Sequence, residues 1–275
     1  MRSIAVINQK GGVGKTTTAV NLAAALAELG KSACVVDLDP QAHASLHLGC
    51  SLADGEESMY QVLVGDTPLA RVRRQISERL WLAPAHLDLA AAELELAGEV
   101  GREMILRDKM IEEEGLSAGG ADFDFLIVDC PPSLGVLTLN ALTAVDEVFL
   151  PLQPHFLALH GLSKLLRTVD LVSKRLNPTL RLTGVVFCMF DGGTRLAAEV
   201  TSDVNDFFSR QSTRDSIWSR AKTFQTKIRR NIRLAEAPSF GQSIFDYARG
   251  SHGAEDYLNL AREALGLPVS ATAAA

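Results

Sequence analysis

The chain has 275 residues, of which 47% are hydrophobic and 22% charged, with a mean hydropathy of +0.11 and a formal net charge of −6. This length and balance are typical of a water-soluble globular protein that can bury a large core. The apolar runs, such as Ala23–Ala27 and Phe125–Val128, fall far short of the roughly 20 residues that a helix needs to cross a bilayer, which excludes a transmembrane helix.

Short apolar runs alternate with helical stretches from the N-terminus onward. Strands are predicted over Ser3–Asn8, Ala33–Asp37, Leu80–Ala83, Phe123–Asp129, Glu147–Leu152 and Leu182–Met189. Helices are predicted over Lys15–Leu29, closed by Gly30, and over Leu134–Ala144, Leu159–Leu176, Arg195–Arg210 and Gly253–Leu265. Apolar strands separated by helices predict an α/β fold, with a mostly parallel central sheet and helices on both faces.

The region Asp54–Gly120 is more polar than its surroundings. We expect a peripheral helix near Ala90–Glu114, followed by a loop over Gly115–Gly120 that is not a domain linker. One domain is therefore predicted over residues 1–268, with a frayed, Ala-rich tail over residues 269–275.

The cysteines and the N-terminus both point to a reducing compartment. The four cysteines, Cys34, Cys50, Cys130 and Cys188, stand far apart without a C-x-x-C pair, which predicts buried thiols rather than a metal site. The segment Met1–Ile7 has one basic residue and a short apolar run, which is too little for a secretory signal. A cytoplasmic location is therefore predicted.

A glycine-rich loop follows the first predicted strand and opens directly into the first helix. Its sequence is Lys10-Gly11-Gly12-Val13-Gly14-Lys15-Thr16-Thr17. The glycines let backbone N–H groups turn toward phosphate oxygens, while Lys15 reaches the β- and γ-phosphates, the Thr16 hydroxyl ligates Mg²⁺ and Thr17 touches the α-phosphate. The usual phosphate-loop pattern has Gly where this chain has Gln9, and a second lysine, Lys10, stands at the start of the loop. We therefore expect ATP and Mg²⁺ as ligands.

Acidic residues end two of the predicted strands. Asp37 and Asp39 close the second strand, and Asp129 closes the strand that begins at Phe123. Ligands of open α/β sheets bind beyond the carboxyl ends of the strands, where these carboxylates should meet. Asp129 is interpreted as the carboxylate that holds Mg²⁺ through water, and Asp37 and Asp39 as acids beside the metal and the attacking water.

With these motifs in place, the chain resembles the ParA/Soj family of chromosome and plasmid partitioning ATPases, in the deviant Walker A (ParA/MinD) group of P-loop NTPases. The motifs are the phosphate loop, Asp37-Leu38-Asp39-Pro40-Gln41, Asp129-Cys130-Pro131-Pro132-Ser133 and Asn231-Ile232-Arg233-Leu234-Ala235-Glu236-Ala237-Pro238-Ser239-Phe240-Gly241. The resemblance implies an ATP-sandwich homodimer in which Lys10 crosses to the partner's nucleotide. It also implies that Lys15 binds phosphate in its own subunit, that Asp39 orients the hydrolytic water and that Asn231 borders the adenine.

Basic residues concentrate in the window Arg210–Arg233, which holds eight of them against the single acid Asp215. Part of this window, between Phe208 and Ile228, looks about ten residues longer than in a compact member of the family that the chain resembles, so an inserted basic segment is predicted. The predicted DNA-binding residues in and near the window are Arg195, Lys227, Arg229, Arg230 and Arg233. A disordered solvated loop, or a surface for an acidic protein partner, remains the competing interpretation.

The resemblance implies a nucleotide switch. ATP drives dimerisation, the dimer binds DNA without sequence preference on the nucleoid, and a ParB-type centromere-binding partner stimulates an otherwise slow ATPase. The alternative is a MinD-like membrane-associated ATPase or another cargo-positioning ATPase. A MinD-like protein needs a basic amphipathic C-terminal helix, whereas the segment Leu267–Ala275 has no basic residue, so no membrane binding is expected.

Overall fold

A mostly parallel sheet runs through the computed structural model, which describes residues 1–116, 123–155, 158–211, 217 and 221–269. Its strands are β1 (Arg2–Val6), β2 (Ala33–Asp37), β3 (Arg74–Ser77), β4 (Leu80–Ala83), β5 (Phe125–Asp129), β6 (Glu147–Leu152), β7 (Arg181–Phe190), β8 (Lys222–Thr223) and β9 (Ile228–Arg229). The strand order is β3-β4-β2-β5-β1-β6-β7-β8, and β9 also pairs with β7. The pairing of β3 with β4 is antiparallel and the other recorded pairs are parallel.

Helices cover both faces of the sheet. They are α1 (Lys15–Glu28), α2 (His43–His47), α3 (Met59–Leu63), α4 (Leu69–Val72), α5 (Leu89–Glu95), α6 (Ile105–Leu116), α7 (Val136–Ala144), α8 (Ala158–Arg175), α9 (Arg195–Gln211), α10 (Ile232–Glu236), α11 (Ile244–Ala248) and α12 (His252–Ala264). None of the described helices is long and apolar enough to cross a membrane.

Successive residues of each central strand enter opposite cores, because side chains alternate across a sheet. In β1, Ile4 and Val6 pack with α1 and α12, whereas Ala5 packs with α7 and α8 on the other face. Each of these three strand residues has no exposed surface. Burial on both faces explains why the central strands are continuous apolar runs rather than alternating ones.

The predicted α/β architecture is confirmed. The bounds of β2, β4 and β6 match the prediction, and the other predicted strands differ by at most two residues at an end. Gly30 ends α1 as expected, with a left-handed φ of 80°. The predicted thiols Cys34, Cys130 and Cys188 are buried, and Cys50 is half-buried.

The region before β5 was predicted incorrectly. A single helix over Ala90–Glu114 was expected, but α5 ends at Glu95 and α6 begins only at Ile105. Between them Gly101 has a φ of 76°, which interrupts the helix. The region is also less peripheral than expected, because α3 to α6 place apolar side chains in the core cluster that covers one face of the sheet. Helix α6 runs to Leu116, and residues 117–122 of the expected loop lie outside the described residues.

The register of the sheet brings the acidic strand ends together. Asp129 at the end of β5 pairs with Val6 of β1 on one side and with Asp37 of β2 on the other. The loop that follows β1 therefore lies beside both acids. This edge of the sheet holds the candidate site.

Candidate nucleotide-binding site

The loop between β1 and α1 has the backbone of a phosphate loop. Gly12 and Gly14 have left-handed φ angles of 72° and 95°, which side chains other than glycine rarely tolerate. Gly14 is the N-cap of α1, and no side chain in the described part of the protein caps this helix. Its first N–H groups and the positive end of its dipole are therefore available to an anion.

A cavity of about 390 Å³ extends along this loop. The predicted residues that line it are Gly11, Gly12, Gly14, Lys15, Thr16, Thr17 and Asp39, together with Gln41, His43, Pro132 and Met189. The Lys15 side chain is buried, with only 7% of the residue exposed, and its Nζ lies 3.5 Å from the carbonyl oxygen of Lys10. Val13 is instead a core residue, 2% exposed. The structure thus brings the predicted phosphate ligands together around one space.

Asp129 stands out among the described acids. Its side chain is fully buried, and neither carboxylate oxygen meets hydrogen-bond geometry with any described residue, although the Thr16 hydroxyl lies close enough to influence it. Burial, followed by the negative charge of Asp37, raises the pKa of Asp129 well above its usual range, although the Thr16 hydroxyl and the Lys15 ammonium act in the opposite direction. A buried carboxylate without a hydrogen-bond partner is strongly disfavoured, so a cation bound beside Asp129 would stabilise its charged form.

Asp37 is also fully buried, but its oxygens are occupied. Oδ1 accepts from the backbone N–H of Asp39, and Oδ2 accepts from the backbone N–H and the hydroxyl of Ser45. The same Ser45 hydroxyl accepts from the N–H of Ala85. Burial raises the pKa of Asp37 to about 6. The Asp37 carboxylate thus holds the loop that carries Asp39, and its role beside a metal ion stays a prediction.

Asp39 lies at the wall of the phosphate-loop cavity. It is 7% exposed, and its Oδ1 accepts from the N–H of Gln41. A carboxylate in this place can hold a water molecule beside a bound terminal phosphate.

The residues around the phosphate loop can hold Mg²⁺ together with a bound nucleotide. In the described ranges, no group of three or more His, Cys, Asp or Glu side chains is arranged to hold a metal, so a site made of protein ligands alone is not built. Mg²⁺ usually keeps several waters and takes one or two protein oxygens plus substrate phosphates. The Thr16 hydroxyl and the partnerless Asp129 carboxylate suit that arrangement.

A second cavity, of about 330 Å³, adjoins the first and shares Gly14, Thr17 and Met189 with it. Most of its lining is apolar, and it includes Cys188, Ile228, Leu234, Ala235, Tyr257 and the predicted Asn231. The Asn231 side chain caps α10 by accepting from the N–H of Arg233. Predominantly apolar walls with a few polar groups are typical of a pocket for a flat organic group such as a nucleobase.

A buried polar contact joins two residues that line this cavity to helix α1. The Thr18 hydroxyl of α1 lies 3.2 Å from the Tyr257 hydroxyl of α12 and 3.6 Å from the Cys188 Sγ of β7. Burial raises the pKa of the Cys188 thiol to about 12, so the thiol stays protonated. The sequence predicts Cys188 as a buried thiol but not its contact with Thr18 and Tyr257, because only the packing of three distant elements brings these residues together.

Lys10 differs from the other loop residues. It is exposed, and its Nζ lies 2.5 Å from Nε2 of His155, after β6. Burial and the Lys10 charge lower the pKa of His155, which leaves a neutral imidazole able to accept from the ammonium. Sequence analysis did not identify His155 as a neighbour of the loop.

The predicted DNA-binding cations are not one free cluster. The Arg229 guanidinium donates to Asp256, a carboxylate that is 1% exposed, at 2.6 Å and to Glu255 at 2.8 Å. This geometry does not favour Arg229 as a DNA contact, because its charge is already neutralised inside the fold.

The other described cations of this set keep more freedom. Arg195 pairs with Glu199 and Arg233 with Glu236, both on exposed helix surfaces. Lys227 lies over the Phe190 ring, 4.2 Å from its centroid. Arg230 is exposed and has no ion pair among the described residues. The side chains of Arg210, Arg214 and Arg220 lie outside the described residues.

Comparisons with known proteins agree with this site. A family model described as an AAA domain matches residues 1–182. The chain is 46% identical to the sporulation initiation inhibitor protein Soj of Bacillus subtilis, over 94% of this chain and 96% of that protein. It is 43% identical to the chromosome partitioning protein ParA of Myxococcus xanthus, over 95% and 87% of the two chains.

A solved structure named cobyrinic acid a,c-diamide synthase, from Mycobacterium smegmatis, is also similar. It is 35% identical, with a TM-score of 0.78, over 96% of this chain and 93% of that one. A second structure of that protein contains a bound ATP analogue and magnesium, and matches with 42% identity and a TM-score of 0.69 over 75% of this chain and 82% of that one.

Proposed function

The chain belongs to the Soj/ParA family of chromosome-partitioning ATPases, and from this premise we propose that it is an ATP-driven dimerisation switch. Mg²⁺-ATP binds in the two adjoining cavities and brings two subunits together. The dimer binds DNA without sequence preference on the nucleoid of the cytoplasm. A ParB-type partner stimulates slow ATP hydrolysis, which releases the subunits from DNA.

The observation that carries the proposal is the joined pair of cavities. A polar cavity around the phosphate loop meets an apolar cavity at Gly14, Thr17 and Met189. A nucleotide has this same division, with charged phosphates on one side and a flat base on the other. The Mycobacterium smegmatis relative, which binds an ATP analogue and magnesium, supports the assignment.

Hydrolysis follows from the groups at the polar end. Lys15 and the N–H groups of the loop neutralise phosphate charge as it develops. Asp39 holds the attacking water, and its position is kept by the hydrogen bond from its N–H to Asp37. Bound Mg²⁺, next to Thr16 and Asp129, would supply further neutralisation of phosphate charge. Slow turnover is expected, because no arginine among the described residues lines the phosphate-loop cavity, and an arginine finger supplies a large part of this charge stabilisation.

Dimerisation depends on Lys10. Its exposed ammonium can leave His155 and reach phosphates of a second subunit, where its charge is neutralised only when two subunits meet. ATP binding and association are then linked, since a ligand that binds the dimer more tightly shifts the equilibrium toward it.

DNA binding is proposed for the exposed cations near the base cavity. Arg230 and Arg233 lead this set, followed by Arg195 and Lys227. Binding through phosphates is weak for one subunit and strong for two, because each additional neutralised phosphate adds to the affinity and to its salt dependence.

Light scattering of an Asp39→Ala variant tests the switch. With Mg²⁺-ATP we expect twice the monomer mass of 29.6 kDa, and with ADP we expect the monomer. Adding Lys10→Ala should keep the protein monomeric even with ATP. A dimer that forms equally well without nucleotide would contradict the proposal.

The alternatives are less well supported. A MinD-like or other cargo-positioning ATPase would share the same nucleotide site, but the ParA relative of Myxococcus xanthus, at 43% identity, is a chromosome partitioning protein. An amide synthase, as the Mycobacterium smegmatis protein is named, would consume ATP only when its organic substrate is present. ATP turnover that depends on DNA and a centromere-binding protein, with no such substrate, distinguishes the two.

A further inference from the structure

Met189, at the junction of the two cavities, has an unusual backbone. Its φ of 51° lies in the left-handed region, and among the described residues only Ala42 shares this property without being glycine. Residues other than glycine, asparagine and aspartate rarely adopt this backbone conformation. Such strain persists where the surrounding structure imposes it, and it concentrates at ligand sites.

The strain comes from an irregularity between β7 and β9. Cys188 pairs with Ile228 and Phe190 pairs with Arg229, so Met189 is an extra residue without an opposite partner. A bulge of this kind redirects a side chain and is common beside active sites.

The neighbours of Met189 hold it in this state. On one side, the buried Cys188 contacts Thr18 and lies against Gly14 of the phosphate loop. On the other side, the Phe190 carbonyl accepts from the N–H of Arg230, and the Phe190 ring lies under Lys227. Because both flanking residues are fixed, Met189 cannot return to a regular strand conformation without breaking one of these contacts.

Met189 lines both the apolar cavity and the phosphate-loop cavity. A thioether side chain is flexible and polarisable and packs well on flat rings. It is therefore suited to a group that joins a base to phosphates.

We infer that Met189 is a nucleotide-binding residue whose side chain contacts the nucleoside half of the bound nucleotide, held there by the bulge in β7. The inference rests on the proposed nucleotide-binding function and adds a specificity-determining residue to it. A purely structural role for Met189 is the competing explanation.

Calorimetric titration of the full chain with Mg²⁺-ADP and with Mg²⁺-pyrophosphate separates the two roles. ADP contains the nucleoside and avoids hydrolysis, whereas pyrophosphate lacks the nucleoside. Met189→Ala and Met189→Gly should each weaken ADP binding about ten-fold, by loss of apolar contact, and leave pyrophosphate binding unchanged. Met189→Leu, which keeps a side chain of similar volume, should bind ADP nearly as wild type does.

Thermal unfolding without ligand supplies the matched control. Met189→Gly should melt at a higher temperature than Met189→Ala, because glycine adopts the left-handed conformation without strain. Ala42→Gly relieves the same kind of strain at a residue that lines neither cavity, so it should raise the melting temperature without changing ADP affinity.

The combined outcomes decide the inference. Equal losses of ADP affinity in the Gly and Ala variants, despite different melting temperatures, support a direct contact. ADP affinities that follow the melting temperatures, or that match wild type, overturn it. A wild-type protein that binds neither ADP nor pyrophosphate overturns the nucleotide-binding function itself, and the inference with it.

Discussion

The nucleotide edge of the sheet and the basic window Arg210–Arg233 use charge in opposite ways. At the nucleotide edge, Asp129 is buried with no hydrogen-bond partner, and the N-terminus of α1 has no capping side chain among the described residues. Near the basic window, Arg229 and Arg233 are each paired with acids of the same chain. The first region leaves its charges for a ligand, while the described part of the second already pairs two of its arginines with acids.

This difference explains why a motif predicts a site better than a count of charges does. The glycine spacing of a phosphate loop specifies a backbone that must stay open to an anion. A run of basic residues specifies nothing about their partners, because an acid that is distant in sequence, such as Asp256, can neutralise one of them. Substitutions at the nucleotide edge should therefore change ligand binding, whereas substitutions of paired arginines near the basic window should change the stability of the fold.

The largest expected effect is a loss of ATP affinity at the phosphate loop. Lys15→Ala should weaken Mg²⁺-ATP binding by at least about 100-fold, because it leaves phosphate charge without its buried counterion. Equilibrium binding of a fluorescent ATP analogue measures this loss. Lys31→Ala is the matched control, since Lys31 lines neither cavity and pairs with Asp124 at the surface, and it should bind as wild type does. Equal binding by Lys15→Ala would contradict the phosphate-loop assignment.

The second expected effect is on stability, and it should distinguish Arg229, which is paired with acids, from its neighbour Arg230. Arg229→Ala should lower the free energy of unfolding by about 2–4 kcal/mol, because it removes the guanidinium that neutralises the buried Asp256 carboxylate and keeps only the hydrogen bond from the backbone N–H of residue 229. Arg230→Ala, at an exposed neighbour with no ion pair among the described residues, should change the free energy of unfolding by less than about 0.5 kcal/mol. Urea unfolding followed by circular dichroism measures both.

Nonspecific DNA binding should depend on the exposed cations rather than on the buried ion pair of Arg229. In an Asp39→Ala background with ATP, Arg195→Glu combined with Arg233→Glu, at residues that line neither cavity, should dimerise normally but lose nonspecific DNA binding at moderate salt. Filter binding over a salt series measures this loss. Unchanged DNA binding would move the DNA face elsewhere on the protein.

A smaller effect concerns the stability of the open site itself. Without Mg²⁺ and nucleotide, Asp129→Asn should raise the free energy of unfolding by about 1–3 kcal/mol at pH 7, because it removes a buried ionisable group with no hydrogen-bond partner among the described residues. The same variant should lose the dependence of ATP binding on Mg²⁺. If Asp129→Asn is less stable than wild type, the carboxylate has a partner in solution.

The gain from Asp129→Asn should also depend on pH. The pKa of Asp129 is raised in the folded state, so this carboxyl group takes up its proton on folding at a pH where the unfolded chain is still ionised. Wild-type stability therefore rises as pH falls through the folded pKa toward the unfolded value, and no further gain occurs below it. As pH falls over that range, the difference in melting temperature between wild type and Asp129→Asn should therefore become smaller.

The sequence predicted those parts of the fold that depend on local pattern. β2 and β5 are apolar runs that end in Asp37 and Asp129, and their parallel pairing follows from burial on both faces. The roles of Asp37 and Met189 could not be predicted, because the first depends on Ser45 and the second on the pairing of β7 with β9. Each requires a contact between elements whose mutual position the sequence pattern does not determine.

The central claim is that the open site at the strand ends binds and hydrolyses ATP through separate groups. Mg²⁺-ATP affinity and phosphate release, measured side by side for wild type and Asp39→Ala, test it most directly. The account predicts that both proteins bind ATP with similar affinity and that only the wild type releases phosphate, because Asp39 positions water but is not needed to hold the phosphates. Phosphate release by Asp39→Ala at the wild-type rate would contradict the account.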